Sequence, residues 1–88
     1  MTQSQDHNFD PMIYDVMREL TTQVVGRYST WESEAATERE AKHWRAEWLR
    51  VRSEAREVNP RSREAVDSKT NELRQTLRQL PTNAPALP

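Results

Sequence analysis

Apolar residues recur at intervals of three and four along the second half of the chain, in two stripes on either side of Asn59-Pro60. This is the period of an α-helix that presents one face to a partner. Read antiparallel, the stripes pair position by position, from Val58 opposite Val66 to Trp44 opposite Leu80. We therefore predict a long antiparallel helical hairpin. Its predicted core comprises Trp44, Trp48, Val51, Ala55 and Val58 on one helix and Val66, Leu73, Leu77 and Leu80 on the other.

A further helix is predicted ahead of the hairpin. Asp10-Pro11 supplies an N-cap followed by proline at the first helical position, and Gly26, the only glycine, suits a C-cap with positive φ. The apolar stripe between them is wide, because Met12 flanks one edge and Tyr14 and Val25 flank the other. One neighbouring helix would not cover it. The stripe itself comprises Ile13, Val16, Met17, Leu20, Val24 and Tyr28.

Local signals set the remaining helix ends. Ser29-Thr30-Trp31-Glu32 matches a capping box, and Asn59-Pro60 stops the second helix because proline cannot continue the hydrogen-bond ladder. We thus predict the all-α class, as an elongated three-helix bundle built on a long antiparallel helical hairpin. This single domain covers 10–80, with helices at about 10–26, 30–58 and 62–80. A disordered segment is expected at 1–9 and a proline-rich disordered tail at 81–88.

Composition narrows the class of protein. The 88 residues are 34% hydrophobic and 31% charged, with a net charge of -1, which suits one small domain with exposed helices. Residues 1–33 carry five acidic and two basic side chains, so the amino-terminal third is acidic. There is no cysteine, the amino terminus is too polar for a signal peptide, and no apolar run could span a membrane. We expect a cytoplasmic protein without membrane attachment.

The residues offer little for catalysis or metal binding. The two histidines are His7, in the segment expected to be disordered, and His43, so we expect no catalytic residues, no enzyme activity and no cofactor. His43 and Glu47 share a helix face but supply only one side of a metal site, so we expect no metal. Arginines along residues 45–63 alternate with glutamates. That pattern indicates a solvated, salt-bridged face and makes nucleic-acid binding unlikely.

The surplus width of helix one is the best indication of function. Thioethers adapt to irregular surfaces, and a phenol or indole can anchor an interface, so this face could lie in a partner's groove. Trp44 and Trp48 would close the open end of the hairpin, whereas Trp31 is the tryptophan expected to anchor a partner. The apolar face of helix one could instead be buried against helix two or in a homodimer. The partner-binding residues expected here are Met12, Ile13, Tyr14, Met17, Arg18, Val25 and Trp31.

Two antitoxin families resemble parts of this chain. The run from Asn8 to Leu20, with the hairpin behind it, is similar in size, helix order and charge to the epsilon-type antitoxins that neutralise zeta-type toxins. The resemblance implies a bacterial inhibitor whose amino-terminal helix covers the nucleotide pocket of a toxin kinase. Thr30-Trp31-Glu32-Ser33-Glu34 is similar to the helix of Fic-type inhibitors, which implies an inhibitory role for Glu34. Ala35 stands where that pattern has glycine or asparagine.

These observations lead to one expected function and two alternatives. We expect a non-catalytic protein that binds and inhibits a partner protein, as an antitoxin does, with helix one occluding the active cleft of the partner. The partner would be a protein such as a nucleotide-using toxin. The first alternative is a self-associating coiled-coil structural protein, of phage origin for instance, whose helix one forms the dimer contact. The second is nucleic-acid binding by the arginine-rich hairpin, against which the net charge argues.

Overall fold

The computed structural model describes residues 10–88, which form three α-helices and no β-strand. The helices are α1 (Pro11–Glu34), α2 (Glu38–Arg56) and α3 (Arg63–Gln79). They pack into a bundle of 59 × 20 × 18 Å, which confirms the all-α, elongated three-helix prediction. Within the described residues, none of the helices combines the length and apolar character needed to cross a membrane. The predicted disorder of residues 1–9 lies outside the described part of the chain.

Helix α1 continues through the position where the sequence predicted its end. Gly26 lies inside the helix, and no glycine among the described residues has a positive φ. The segment from Ser29 to Glu32 is likewise helical and caps nothing. The predicted boundary is wrong because one exposed glycine costs a helix only about 1 kcal/mol relative to alanine. Ending α1 there would instead remove Tyr28 and Trp31, both buried, from the core.

The break between α1 and α2 falls at residues 35–37. Thr37 is the N-cap of α2, and its Oγ1 accepts a hydrogen bond from the backbone N–H of Glu40 at 3.1 Å. The Glu40 carboxylate accepts one from the backbone N–H of Ala36 at 3.2 Å. A variant of the capping box, with the N–H of Ala36 in place of that of the N-cap Thr37, therefore starts α2 later in the chain than predicted. The end of α2 and both ends of α3 lie within two residues of the predicted bounds.

Helix α1 is the axis of the bundle. Its backbone runs close to both α2 and α3, whereas α2 and α3 approach each other closely at almost no point. The predicted hairpin residues do face inward, but they converge on buried residues of α1, which are Met17, Val24, Tyr28 and Trp31. The wide apolar stripe of α1 is thus divided between two neighbours. The hairpin residues Trp44, Val51, Ala55, Val66 and Leu73 are buried, and Trp48, Val58, Leu77 and Leu80 are partly buried.

The proline-rich tail has no helix but packs back onto the bundle. Leu87 is partly buried against the core, and Arg39 donates a hydrogen bond to the carbonyl oxygen of Pro88. The Arg27 guanidinium donates to the carbonyl oxygens of Leu80, at 3.5 Å, and Pro81. The sequence predicts a disordered tail, and in the structure these contacts join the tail to the bundle. With 17 residues against 24, α3 is shorter than α1, and the tail continues along the part of the bundle beyond α3.

Candidate partner-binding groove

The structure separates the predicted partner-binding residues by their exposure. Met17 and Trp31 are only 1% and 3% exposed, so they belong to the core and cannot reach a partner in this conformation. Ile13 is partly buried against the same core. Met12 is 70% exposed and Glu34 is exposed, and neither lines the groove described below. The three that remain line one side of a groove between α1 and α2, and they are Tyr14, Arg18 and Val25.

We call this feature the arginine groove. Its volume is about 410 Å³. The residues that α1 contributes extend from 14 to 25, which is about 17 Å along the helix at 1.5 Å per residue. Its walls and base are formed by Tyr14, Met17, Arg18, Thr21, Thr22 and Val25 of α1 and by Arg52, Ala55 and Arg56 of α2.

The base of the groove is apolar, and its backbone groups are already hydrogen-bonded. Met17 and Ala55 are buried core residues, and Val25 is half-buried beside them. Thr21 Oγ1 donates to the Met17 carbonyl oxygen at 2.8 Å, and Thr22 Oγ1 donates to the carbonyl oxygen of the residue four before it at 3.1 Å. Both threonine hydroxyl protons are thus used inside α1. Donors for a ligand come from the three guanidinium groups and the Tyr14 phenol.

The arginines of the groove have no carboxylate partner within residues 10–88. Arg18, Arg52 and Arg56 form none of the ion pairs found there. Asp15 precedes Arg18 by three residues on α1, but the two are not paired. The guanidinium of Arg52 instead lies over the Trp48 ring, 5.5 Å from its centroid. Three cations therefore surround an apolar base without a neutralising charge.

At its other end, the same α1–α2 interface does contain a carboxylate. Glu32 Oε1 accepts a hydrogen bond from Trp48 Nε1 at 2.7 Å, and Oε2 accepts one from Arg45 Nε at 2.9 Å. The Trp48 hydrogen bond is the main reason that the pKa of the Glu32 carboxyl is lowered, and Arg45 acts in the same direction. Along α1, Val25 and Arg18 repeat the position of Glu32 at intervals of seven residues. The arginine groove thus continues the α1–α2 interface in which, at the other end, Arg45 is already paired with Glu32.

On the other flank of α2, basic and acidic side chains form a network of ion pairs in which each charge has a partner of opposite sign. Arg50 bonds Glu47 and Glu54 at 3.1 Å each, and Lys69 of α3 bonds Glu54 at 3.2 Å and Glu72 at 3.1 Å. The hydrogen bond from Lys69 lowers the pKa of Glu54, and Arg50 adds to this effect. The solvated, salt-bridged face inferred from the sequence therefore describes this flank, and it does not describe the groove.

Sequence reasoning identified Arg18 as a partner-binding residue but assigned Arg52 and Arg56 to the salt-bridged face, although the sequence around them differs. Neither of these two arginines has an acidic residue three or four positions away, whereas Arg50 has Glu47 and Glu54 at those positions. The sequence therefore shows two arginines without an acidic residue at these spacings on a helix whose other arginines alternate with glutamates. The sequence does not show which side of α1 these two arginines face, because that depends on how α2 packs.

The half-site for a metal has no second half among residues 10–88. His43 stands edge-on to Trp44, with 4.5 Å between the ring centroids. No group of three histidine, aspartate or glutamate side chains in this part of the chain is placed to hold a metal ion.

Comparison with known proteins adds no family to this description. No family model matches the chain, and no curated protein or solved structure is detectably similar to it. The resemblance to epsilon-type antitoxins therefore stays at the level of size, helix order and charge.

Proposed function

We propose that this chain is a non-catalytic protein that binds and inhibits a partner protein in the bacterial cytoplasm, as the antitoxin of a toxin–antitoxin module does. The observation that carries the proposal is the arginine groove, an open apolar base bordered by three unpaired cations. Exposed guanidinium groups without an ion-pair partner in the described residues can pair with carboxylates of a complementary partner. Neither a cofactor nor a metal enters the proposal.

The groove side of α1 is the part that would meet the partner. Tyr14, Arg18 and Val25 are accessible there, while Met17 lies beneath them and holds their positions from inside the core. In an elongated bundle of this kind, inhibition requires only that a rigid helix pair covers the partner's active cleft. No rearrangement of the three helices is needed.

Burial within one chain favours this proposal over a structural dimer formed by α1. The apolar face that such a dimer would use is already filled, since Val24 is 0% exposed and Met17 is nearly so. Among residues 10–88, the large apolar side chains that remain exposed are Met12 and Val16, one turn apart on α1, and Leu49 on α2. With a net charge of -1, nucleic-acid binding is also disfavoured.

The test is capture of the partner followed by a test of inhibition. The tagged full chain should recover one stoichiometric protein from the lysate of its host, identified by mass spectrometry. Co-expression of the chain should then relieve the growth arrest, or block the activity, that this protein causes alone. Tyr14→Ala should weaken capture, whereas Arg74→Ala, on the exposed side of α3, should not. Recovery of the bait alone, or a partner whose activity is unaffected, would overturn the proposal.

A further inference from the structure

We infer that the segment of the partner that docks here is an amphipathic α-helix with acidic flanks. Its apolar stripe would lie on the base of the arginine groove, and its carboxylates would pair with Arg18, Arg52 and Arg56. The inference rests on the proposed function, because it specifies the chemistry of the partner surface that the groove binds.

The charge of the groove favours an acidic occupant. Positive side chains stand on both walls, Arg18 on α1 and Arg52 with Arg56 on α2, and none is paired within the described residues. A guanidinium binds a carboxylate through two parallel hydrogen bonds, which makes carboxylate its best protein partner. The chain already provides an example of this chemistry, since Glu32 receives Arg45 and Trp48 farther along the same interface.

The shape of the groove favours a helical occupant. A groove between two adjacent antiparallel helices accepts another helix, whose axis then lies about 8–10 Å from each neighbour. Small side chains at the centre, those of Thr21, Thr22 and Ala55, allow this approach. The length of about 17 Å corresponds to three helical turns, enough for carboxylates at successive turns to reach the arginines.

Hydrogen bonding distinguishes a helix from an extended peptide. An extended segment needs donors and acceptors for its own backbone, whereas a helix satisfies its backbone internally. The hydroxyl protons of Thr21 and Thr22 are already donated inside α1, and the groove offers no exposed strand edge. A nucleic-acid backbone is also disfavoured as the occupant, because the chain carries a net charge of -1.

The test uses two synthetic peptides and the full chain. The first is a capped amphipathic helix of about 18 residues, with leucine and alanine on one face and glutamate along both flanks. The second replaces each glutamate by glutamine. In NMR titrations of the isotope-labelled chain, the acidic peptide should shift the amides of Thr21, Thr22 and Arg56 and the indole N–H of Trp48. It should bind at least ten-fold more tightly than the glutamine peptide, and less tightly at high salt.

Matched double variants locate the site. Arg52→Ala with Arg56→Ala removes two exposed arginines four residues apart on α2, and Arg74→Ala with Arg78→Ala does the same on α3. The α2 pair should lower the affinity for the acidic peptide about five- to ten-fold, as expected for two solvent-accessible ion pairs. The α3 pair should leave the affinity unchanged. Circular dichroism of both variants should match that of the unmodified chain, because all four side chains are exposed.

Several results would overturn the inference. Equal affinity for the two peptides, absence of binding, or an equal effect of the two double variants would each remove the acidic helix from the groove. Stronger competition by a single-stranded oligonucleotide would assign the groove to nucleic acid. Concentration-dependent shifts of the groove amides without peptide would assign it to a second copy of the chain. Tighter binding after removal of residues 1–9 would assign it to the chain's own amino terminus.

The two proposals can fail separately. If the partner captured from lysate binds the Arg52→Ala, Arg56→Ala variant as well as the unmodified chain, the groove is not its docking site, while the proposed function stands. If the acidic peptide binds as expected but the lysate yields no partner, the groove chemistry stands and the proposed function fails.

Discussion

Gly26 is a position where one side chain could be added without a structural cost. A Cβ built on it meets no atom within 4 Å, and its backbone has helical geometry with negative φ. We expect Gly26→Ala to raise the free energy of unfolding by about 1 kcal/mol, because alanine restricts the unfolded chain and favours the helix. Urea denaturation measures this. Ala46→Gly, at an exposed position within α2, should lower it by a similar amount.

Two carboxylates connect stability to pH. A hydrogen bond from Trp48 holds the pKa of Glu32 below the ordinary value of 4.5, and one from Lys69 does the same for the pKa of Glu54. A carboxyl whose pKa is lower in the folded state stabilises the fold above the ordinary pKa. That stabilisation is lost as the pH falls through the lowered value. We therefore expect the stability of the bundle to decline once the pH drops below about 4.5.

The double variant Glu32→Gln with Glu54→Gln tests this expectation. It should be less stable than the unmodified chain near neutral pH, and its urea midpoint should change less between about pH 5 and about pH 3, because the two titrating groups are absent. Glu34→Gln with Glu38→Gln, at exposed positions where no ion pair forms, serves as the control. Parallel pH profiles for the unmodified chain and the first variant would contradict the assignment.

At the scale of elements, Thr37 carries the start of α2. Its side chain accepts the Glu40 backbone N–H, an otherwise unpaired donor of the first turn. We expect Thr37→Ala to lower the free energy of unfolding by about 1 kcal/mol. Ser29→Ala is the matched comparison, since Ser29 occupies the equivalent place in the other Ser/Thr-x-x-Glu sequence but lies exposed inside α1. A comparable loss at Ser29 would mean that α1 is interrupted there in solution.

These two capping sequences show what local signals can and cannot settle. Both have the right residue types, and only the burial of Tyr28 and Trp31 decides that the chain turns at the second one. The inward-facing positions of α2 and α3 were predictable because the spacing of apolar residues is read directly from the sequence. The position of α1 as the axis of the bundle was not predictable, since it follows from packing among all three helices. The same applies to Arg52 and Arg56, whose side of the bundle is set by that packing.

At the scale of the whole molecule, the tail contributes to the core. Leu87 is partly buried against the bundle, whereas Leu49, on the surface of α2, is 48% exposed. We expect Leu87→Ala to lower the free energy of unfolding by about 1 kcal/mol, in proportion to the apolar area it loses. Leu49→Ala should change it by clearly less. Thermal unfolding followed by tryptophan fluorescence measures both, and equal effects would mean that the tail does not pack in solution.

The central position of α1 also implies that the bundle opens unevenly. The backbone of α3 runs closer to α1 than to α2, which it meets through side chains such as the Lys69–Glu54 ion pair. Helices α1 and α2 are linked by three residues and pack along their length. If α3 separates, α1 and α2 remain packed as a helix pair. If α2 separates, α1 and α3 remain in contact although they are far apart in the sequence, and this contact is then unsupported. In native-state hydrogen exchange, amides of α3 should exchange as one cooperative unit before those around Val24 and Val51. Equal protection in all three helices would instead identify a single unit of folding.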